Sequence, residues 1–295
     1  MAEASVPPAA AVKRGMGSGI AALLIVIFMT LGFVGGAFLG PRLGIGGGGG
    51  GGTTKQNVVV ATNTPFPPFE SRNVTTNQLE GFDIDLMNEI GARSNWNVIW
   101  RDFQDWDTLL AAIQYEGVDL GASSITSSGS VGATRNATMS FSDSYYEADQ
   151  AVLIKTGTSP FTCTGPSGQC TPDDLANHTV AVQTLTSSYW WIQGELVDMA
   201  KTPAIMVSSF GDLNQVIQEL VNGNVDWVMV DKPIAQKFSQ QNNQLTIAGT
   251  VETNELYAFA TTKDDPGHFL TAINAALSAM KTDGTYDRIK AKWLG

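Results

Sequence analysis

Polar residues gather where the apolar runs of this chain stop. Ser123, Ser124 and Thr126 follow a run that ends at Ala122, and Arg135 comes shortly after. Hydroxyls beside one guanidinium suit a carboxylate, because the arginine fork donates to it in a bidentate way. Thr186, Ser187 and Ser188 follow the stretch Thr179 to Val182 and open what reads as a helix. A helix N-terminus leaves N–H groups free for an anion. Asp231 closes the run Val225 to Val230, where a lone carboxylate suits an ammonium group. Donors for a carboxylate and an acceptor for an ammonium describe an α-amino acid, and Phe66 and Trp106 are placed to sandwich its side chain. Each residue also has a plainer reading. Arg135 is then a solvated loop residue, Asp231 the cap of a helix starting at Pro233, the two aromatics ordinary core, and the hydroxyls ordinary loop. The combination is more specific than its parts.

The elements that must position these residues are read from periodicity. Val58-Val59-Val60-Ala61 reads as a buried strand. Phe82, Leu86 and Ile90 recur at four-residue spacing and give a helix. Leu109, Leu110 and Ile113 mark another, ended by Gly117, with a strand over Val118 to Ala122. Leu213, Val216, Ile217 and Leu220 form a third helical face, ended by Gly223, with a strand from Val225 to Val230. Ile113-Gln-Tyr-Glu-Gly-Val-Asp119 resembles Leu220-Val-Asn-Gly-Asn-Val-Asp226, so the two halves echo each other. Helices alternating with strands imply parallel sheets covered by helices. Two such halves imply two lobes, with ligand at the carboxyl ends of the strands, in the cleft between them.

The 295 residues are 43% apolar, enough for a sizeable core, and carry a formal charge of −11 with only 15% charged residues. An acidic, sparsely charged chain gives nucleic acid no electrostatic reason to bind. Met16 to Leu39 is uncharged and apolar or small, about 24 residues and long enough to span a bilayer as a helix. Lys13 and Arg14 precede it, so residues 1–15 are expected to stay cytoplasmic. A cleaved signal, including one processed at Lys13-Arg14-Gly15 like archaeal pilin-like peptides, is the alternative. The glycine run Gly46 to Gly52 then reads as part of a flexible tether over residues 40–56. Its match to phosphate-binding loops fails, for no strand precedes it and no Gly-Lys-Ser/Thr follows. Cys163 and Cys170 are spaced C-x6-C, and His178 and His268 join no zinc motif, so neither a metal nor a cofactor is expected. Free thiols or a local disulfide remain for the cysteines, and the export signal favours the disulfide. The sequons at Asn73, Asn136 and Asn177 could carry glycans.

Residues 57–295 resemble the polar amino-acid family of ABC-transporter solute-binding proteins, which includes glutamine-binding and lysine/arginine/ornithine-binding proteins. The resemblance is carried by Val59-Val-Ala-Thr-Asn-Thr-Pro-Phe-Pro-Pro-Phe-Glu70, Gly81-Phe-Asp-Ile-Asp-Leu86, Arg135 with Phe141-Ser-Asp-Ser-Tyr-Tyr146, Val180-Ala-Val-Gln183, Val225-Asp226 through Asp231, and Asp283-Gly-Thr-Tyr286 with Lys292-Trp293. It implies an α/β, periplasmic-binding-protein type II fold: two doubly wound mixed sheets joined by two hinge strands, here preceded by one transmembrane helix. Lobe 1 is expected over 57–147 and 251–295, and lobe 2 over 148–250. The resemblance implies that Arg135 holds the α-carboxylate, helped by Thr126 and by amides near Thr186 and Ser187. It implies that Asp231 holds the α-amino group with groups at Ser124, that Phe66 and Trp106 flank the side chain, and that Asn63 and Gln183 face its tip.

The chain departs from the family pattern in places. The loop Ser127 to Thr134 is about four residues longer than usual before such an arginine, Leu185 stands where Gly is common, and Asn63 where Asp is common. With no charge at Asn63 or Gln183, a neutral polar ligand such as glutamine is expected. The implied partners are a free amino acid, the permease subunits of an ABC importer and the membrane, with the ectodomain outside the cell. The rivals are a sensory domain and a dehydratase-like enzyme on the same fold. A sensor needs a cytoplasmic output module, and the enzyme needs an acid or base free in the cleft.

Overall fold

The computed structural model describes residues 54–199 and 207–295. The expected membrane span and glycine tether lie outside the described residues. In chain order the strands are β1 (Gln56–Asn63), β2 (Ser71–Arg72), β3 (Leu79–Glu80), β4 (Trp96–Phe103), β5 (Leu120–Gly121), β6 (Met139–Phe141), β7 (Tyr146–Lys155), β8 (Val180–Gln183), β9 (Val207–Phe210), β10 (Trp227–Asp231), β11 (Leu245–Tyr257) and β12 (Ala260–Thr262). The helices are α1 (Phe82–Arg93), α2 (Trp106–Gln114), α3 (Gly129–Asn136), α4 (Pro172–Leu175), α5 (Ser187–Ile192), α6 (Leu213–Asn222), α7 (Lys232–Gln241), α8 (Phe269–Thr282) and α9 (Thr285–Leu294).

Two five-stranded sheets organise the chain, in the orders β4-β1-β5-β12-β6 and β11-β7-β10-β8-β9. In the first, β1 runs parallel to β4 and β5, while β12 is antiparallel to β5 and β6. In the second, β8 is parallel to β9 and β10, while β7 is antiparallel to β10 and β11. Both sheets are therefore mixed, and helices cover them. The chain leaves the first sheet along β7 and returns along β11. These two long strands pair from Tyr146–Tyr257 to Lys155–Leu245, with register shifts between Ile247 and Gly249 and between Val251 and Glu255.

Local sequence accounts for much of this. Phe82, Leu86 and Ile90 of α1 are buried, as are Leu213, Val216, Ile217 and Leu220 of α6, the faces that the four- and three-residue spacings imply. Gly223 ends α6 in the left-handed region that glycine enters without strain. The echoing aspartates do one job twice. Asp119 Oδ2 accepts from Val59 N at 2.7 Å, and Asp226 Oδ2 accepts from Thr179 N at 2.7 Å. Asp119 N and Asp226 N donate back to the same two residues' carbonyls, at 2.9 Å each. Each helix-Gly-x-Val-Asp or helix-Gly-Val-Asp unit thus clamps the start of the neighbouring parallel strand, β1 in one sheet and β8 in the other.

One expected loop is a helix. The added residues before Arg135 wind into α3, and Arg135 lies in its last turn. The Gly-Ser-rich sequence Gly129-Ser-Val-Gly-Ala-Thr-Arg-Asn136 has poor helix propensity, so tertiary packing forms it. Gly132 shows how: a Cβ there would lie 2.2 Å from the Ser127 carbonyl, so the helix sits directly on the strand exit. Cys163 and Cys170 form a disulfide seven residues apart.

Candidate functional site

The two sheets turn their strand ends towards one small cavity of about 20 Å3. It is lined by Asn63, Phe66, Trp106, Ser124, Thr126, Arg135, Gln183, Thr186, Ser187 and Asp231. Those are all ten residues singled out from the sequence. Glu70 and Ser123 line it too.

Arg135 reaches the cavity from the α3 side and is buried. Its Nη1 donates to the Thr126 carbonyl and its Nη2 to the Leu185 carbonyl, both at 3.0 Å, and it lies over the Trp106 ring at 5.4 Å from the centroid. Among the described residues it forms no ion pair. Burial pulls its pKa down to about 10, against the pull of Glu255 and Asp231, so it stays charged at neutral pH. Leu185 holds its carbonyl in place at φ 54°, the left-handed region where glycine is at ease and leucine is strained. That is the physical meaning of the leucine-for-glycine departure.

Asp231 reaches the cavity from the end of β10. It stands before α7, yet its side chain makes no capping bond there, so the plainer reading fails. Instead Oδ1 accepts from Gln150 Nε2 at 2.8 Å and from Tyr257 Oη at 2.6 Å. Burial, then the charge of Glu255, raises its pKa to about 7. Gln150 is the hub of this network. Its Nε2 also donates to Glu255 Oε1 at 2.8 Å, and its Oε1 accepts from Ser188 Oγ at 2.6 Å. Thr126 Oγ1 donates to Glu255 Oε2 at 2.8 Å, so its hydroxyl proton is committed and only its backbone could serve a carboxylate. Thr186 caps α5, accepting from Tyr189 N at 3.2 Å, and donates to the Gln183 carbonyl at 2.8 Å.

Asn63 and Gln183 meet across the cleft, with Gln183 Nε2 donating to Asn63 Oδ1 at 3.2 Å. Gln183 Nε2 also donates to the Gly211 carbonyl at 2.9 Å, and Asn63 Nδ2 to the Phe103 carbonyl at 2.7 Å. Phe66 is half-buried and Trp106 buried. The sequence reasoning missed Glu70, Gln150 and Glu255 as parts of the site. Glu70 closes the Pro-Pro-Phe segment, and an acid in so apolar a setting was the available signal. Gln150 and Glu255 lie on β7 and β11, and nothing local in sequence says they meet.

The arrangement is a buried guanidinium and a buried carboxyl lining one cavity, neither in direct contact with an oppositely charged side chain among the described residues. Residues 58–295 match the bacterial extracellular solute-binding proteins, family 3. The chain belongs to that family. Among its curated relatives, a probable histidine-binding protein of Neisseria gonorrhoeae is 29% identical over 247 residues, spanning 79% of this chain and 81% of the relative. The ABC transporter glutamine-binding protein GlnH of Bacillus subtilis is 26% identical, spanning 80% of this chain and 81% of that one. The solved structure of an ancestral arginine-binding protein bound to arginine superimposes with a TM-score of 0.71 at 30% identity, covering 82% of this chain and 100% of the other. The periplasmic-binding-protein type II fold of this family is the fold described above. Among the described residues no helix is long and apolar enough to cross a membrane.

Proposed function

We propose that the chain is the receptor of an ABC importer and that it binds a free amino acid between two lobes, residues 57–147 with 251–295 and residues 148–250. One observation carries the reading: Arg135 of α3 and Asp231 at the end of β10 are both buried, line one cavity, and each lacks an oppositely charged side chain in direct contact. A charge taken out of water without a partner costs several kcal/mol. A zwitterion relieves both at once, its carboxylate on Arg135 and its ammonium on Asp231. Relatives named for histidine, arginine, cystine and glutamine support the ligand class.

Binding without chemistry is the reading that the relatives favour. Anchorage through residues 16–39, with the ectodomain outside the cell, belongs to the same proposal and rests on sequence alone. So do glycans at Asn136 and Asn177, which are exposed. Intact-mass analysis of the native protein tests both.

The ligand claim is tested by calorimetry of the full chain against the amino acids that stabilise it in a thermal-shift screen. Arg135→Ala should remove binding of every amino acid tried, at a cost of about 3 kcal/mol or more. Asp231→Ala should do the same through the amine. If both variants bind as tightly as the parent, the site is elsewhere.

A further inference from the structure

Asp83 is wholly buried behind the cavity wall, and no cation pairs with it among the described residues. It stands in the first turn of α1, where the helix dipole favours an anion. All of its side-chain hydrogen bonds fall on one oxygen. Asp83 Oδ2 accepts from Ser124 N at 2.6 Å, from Ser124 Oγ at 3.4 Å and from Tyr145 Oη at 2.6 Å. Oδ1 is buried and meets no donor. A neutral acceptor would fill the same space without the penalty of burying an acid.

What this oxygen holds is a strained backbone. Ser124 has φ 48°, in the left-handed region that a serine enters only at a cost. Its N–H and its hydroxyl both turn to Asp83, so the group that Ser124 offers the cavity is its carbonyl, which has no hydrogen-bond partner among the described residues. A carbonyl only accepts, which suits an ammonium. Tyr145 ties the same oxygen to the root of β7. It directly precedes that strand, its N donates to the Tyr257 carbonyl at 2.9 Å, and its ring stacks on Phe259 with centroids 4.5 Å apart. One oxygen of Asp83 thus joins the cavity wall to the point where the chain leaves the first sheet.

We propose that Asp83 is a positioning residue for the ammonium end of the cleft, an assignment that rests on the amino-acid-receptor reading. Its carboxylate holds Ser124 in the left-handed conformation and so aims the Ser124 carbonyl at the ligand's α-ammonium, while Tyr145 fixes that carboxylate to the root of β7. The charge acts twice. It makes the bond to Ser124 N stronger than a neutral acceptor would, and it lies behind the carbonyl that the ammonium meets. Burial raises Asp83 to about 7, so the charge is present at pH 8 and largely absent at pH 5. The titratable groups that face it are Tyr145, Glu70 and Tyr286.

The test is calorimetry of the full chain, of Asp83→Asn and of Tyr145→Phe with L-glutamine, L-arginine and L-histidine between pH 5 and pH 8. Asparagine keeps the shape and one acceptor oxygen without the charge. At pH 8 Asp83→Asn should weaken every amino acid that the parent binds by one common factor of about tenfold or more. At pH 5, where Asp83 is protonated in the parent too, parent and variant should agree within about threefold. Tyr145→Phe removes a bond that lowers the pKa of Asp83, so the rise of affinity should move to higher pH. A loss of equal size at both pH values marks Asp83 as structural alone, and an affinity at pH 8 within about threefold of the parent marks it as without effect. Either result overturns the positioning role and leaves the receptor reading standing. If Asp83→Asn does not fold, the pH profile of Tyr145→Phe decides, and an unchanged profile overturns the role. A parent that binds none of the three, nor any other amino acid, overturns the receptor reading as well.

Discussion

Asp231 shows how burial ties charge to pH at the level of one residue. Its pKa rises from an ordinary 3.8 to about 7, first through burial and then through Glu255, while Tyr257 and Gln150 oppose the shift. Asp83, buried beneath Ser124 and Tyr145, also rises to about 7, chiefly through burial. In the unfolded chain both ionise near their ordinary value. Between roughly pH 4 and pH 7 the folded protein therefore holds more protons than the unfolded one, and its stability falls as pH rises through that window. The ceiling is about 1.4 kcal/mol per pH unit for each group. Ligand acts with the opposite sign. An ammonium prefers the ionised Asp231, so amino-acid affinity should rise from pH 5 to pH 8, up to about tenfold per unit below the pKa. Thermal melts of the ligand-free chain and calorimetry across that range check both signs, and Asp231→Asn should flatten its share of the melt curve. Leu185 carries a second residue-scale prediction. Relief of its left-handed strain competes with the extra freedom that glycine gives the unfolded chain. Leu185→Gly should raise stability by up to about 1 kcal/mol, read as an increase in the midpoint of chemical unfolding. A loss of stability would show that the side chain contributes more than its backbone costs.

Elements were legible where short-range rules decide them. The faces of α1 and α6 follow from apolar spacing, and the echo between Asp119 and Asp226 marked two equivalent strand clamps before the bonds to Val59 and Thr179 were visible. Arg135, Asp231 and the aromatic pair were legible because each follows directly from a strand end or a motif. The element α3 was not legible, since its glycines and serines favour no helix and only contact with Ser127 forms it. The Gln150–Glu255–Asp231 network was hidden for a related reason: its members are 81 and 105 residues from Gln150 and meet only because β7, β10 and β11 are neighbours. The close seat of α3 makes a prediction. Gly132→Ala places a methyl within 2.2 Å of the Ser127 carbonyl, a rigid backbone atom. It should cost about 1–3 kcal/mol in stability and weaken every amino acid together, because α3 aims Arg135. Unchanged affinity in that variant would detach Arg135 from α3. The disulfide is a separate element-scale case. It closes a short loop beside Gly249, so Cys163→Ser with Cys170→Ser should lower stability by on the order of 2 kcal/mol and leave ligand preference unchanged. Denaturant melts with and without reductant measure it.

At the scale of the whole molecule, the cleft is held shut by contacts of two kinds. Thr184 Oγ1 donates to Asp107 Oδ1 at 2.9 Å and Trp106 N to the Gly211 carbonyl at 3.2 Å, linking the first-sheet side to the second away from the α-group partners. Those bonds form without ligand. They cannot offset Arg135 and Asp231, which closure strips of water and leaves without counter-charges, so an empty closed cleft carries two buried charges in want of partners. In the proposed receptor, the amino acid supplies both. Its affinity then includes the closing equilibrium, and any change that weakens closure lowers the apparent affinity by the fraction of closed molecules lost. Thr184→Ala removes one exposed latch bond, worth about 0.5–1.5 kcal/mol. It should weaken all amino acids by the same factor, about two- to tenfold, with their rank order intact. Gln183→Ala, by contrast, opens the side-chain end of the cavity and should reorder the preferences. Calorimetry with a panel of amino acids separates the two patterns, and X-ray scattering should show the parent contracting when ligand is added. If Thr184→Ala reorders the panel while Gln183→Ala scales it uniformly, the latch and the selectivity surface have been assigned the wrong way round.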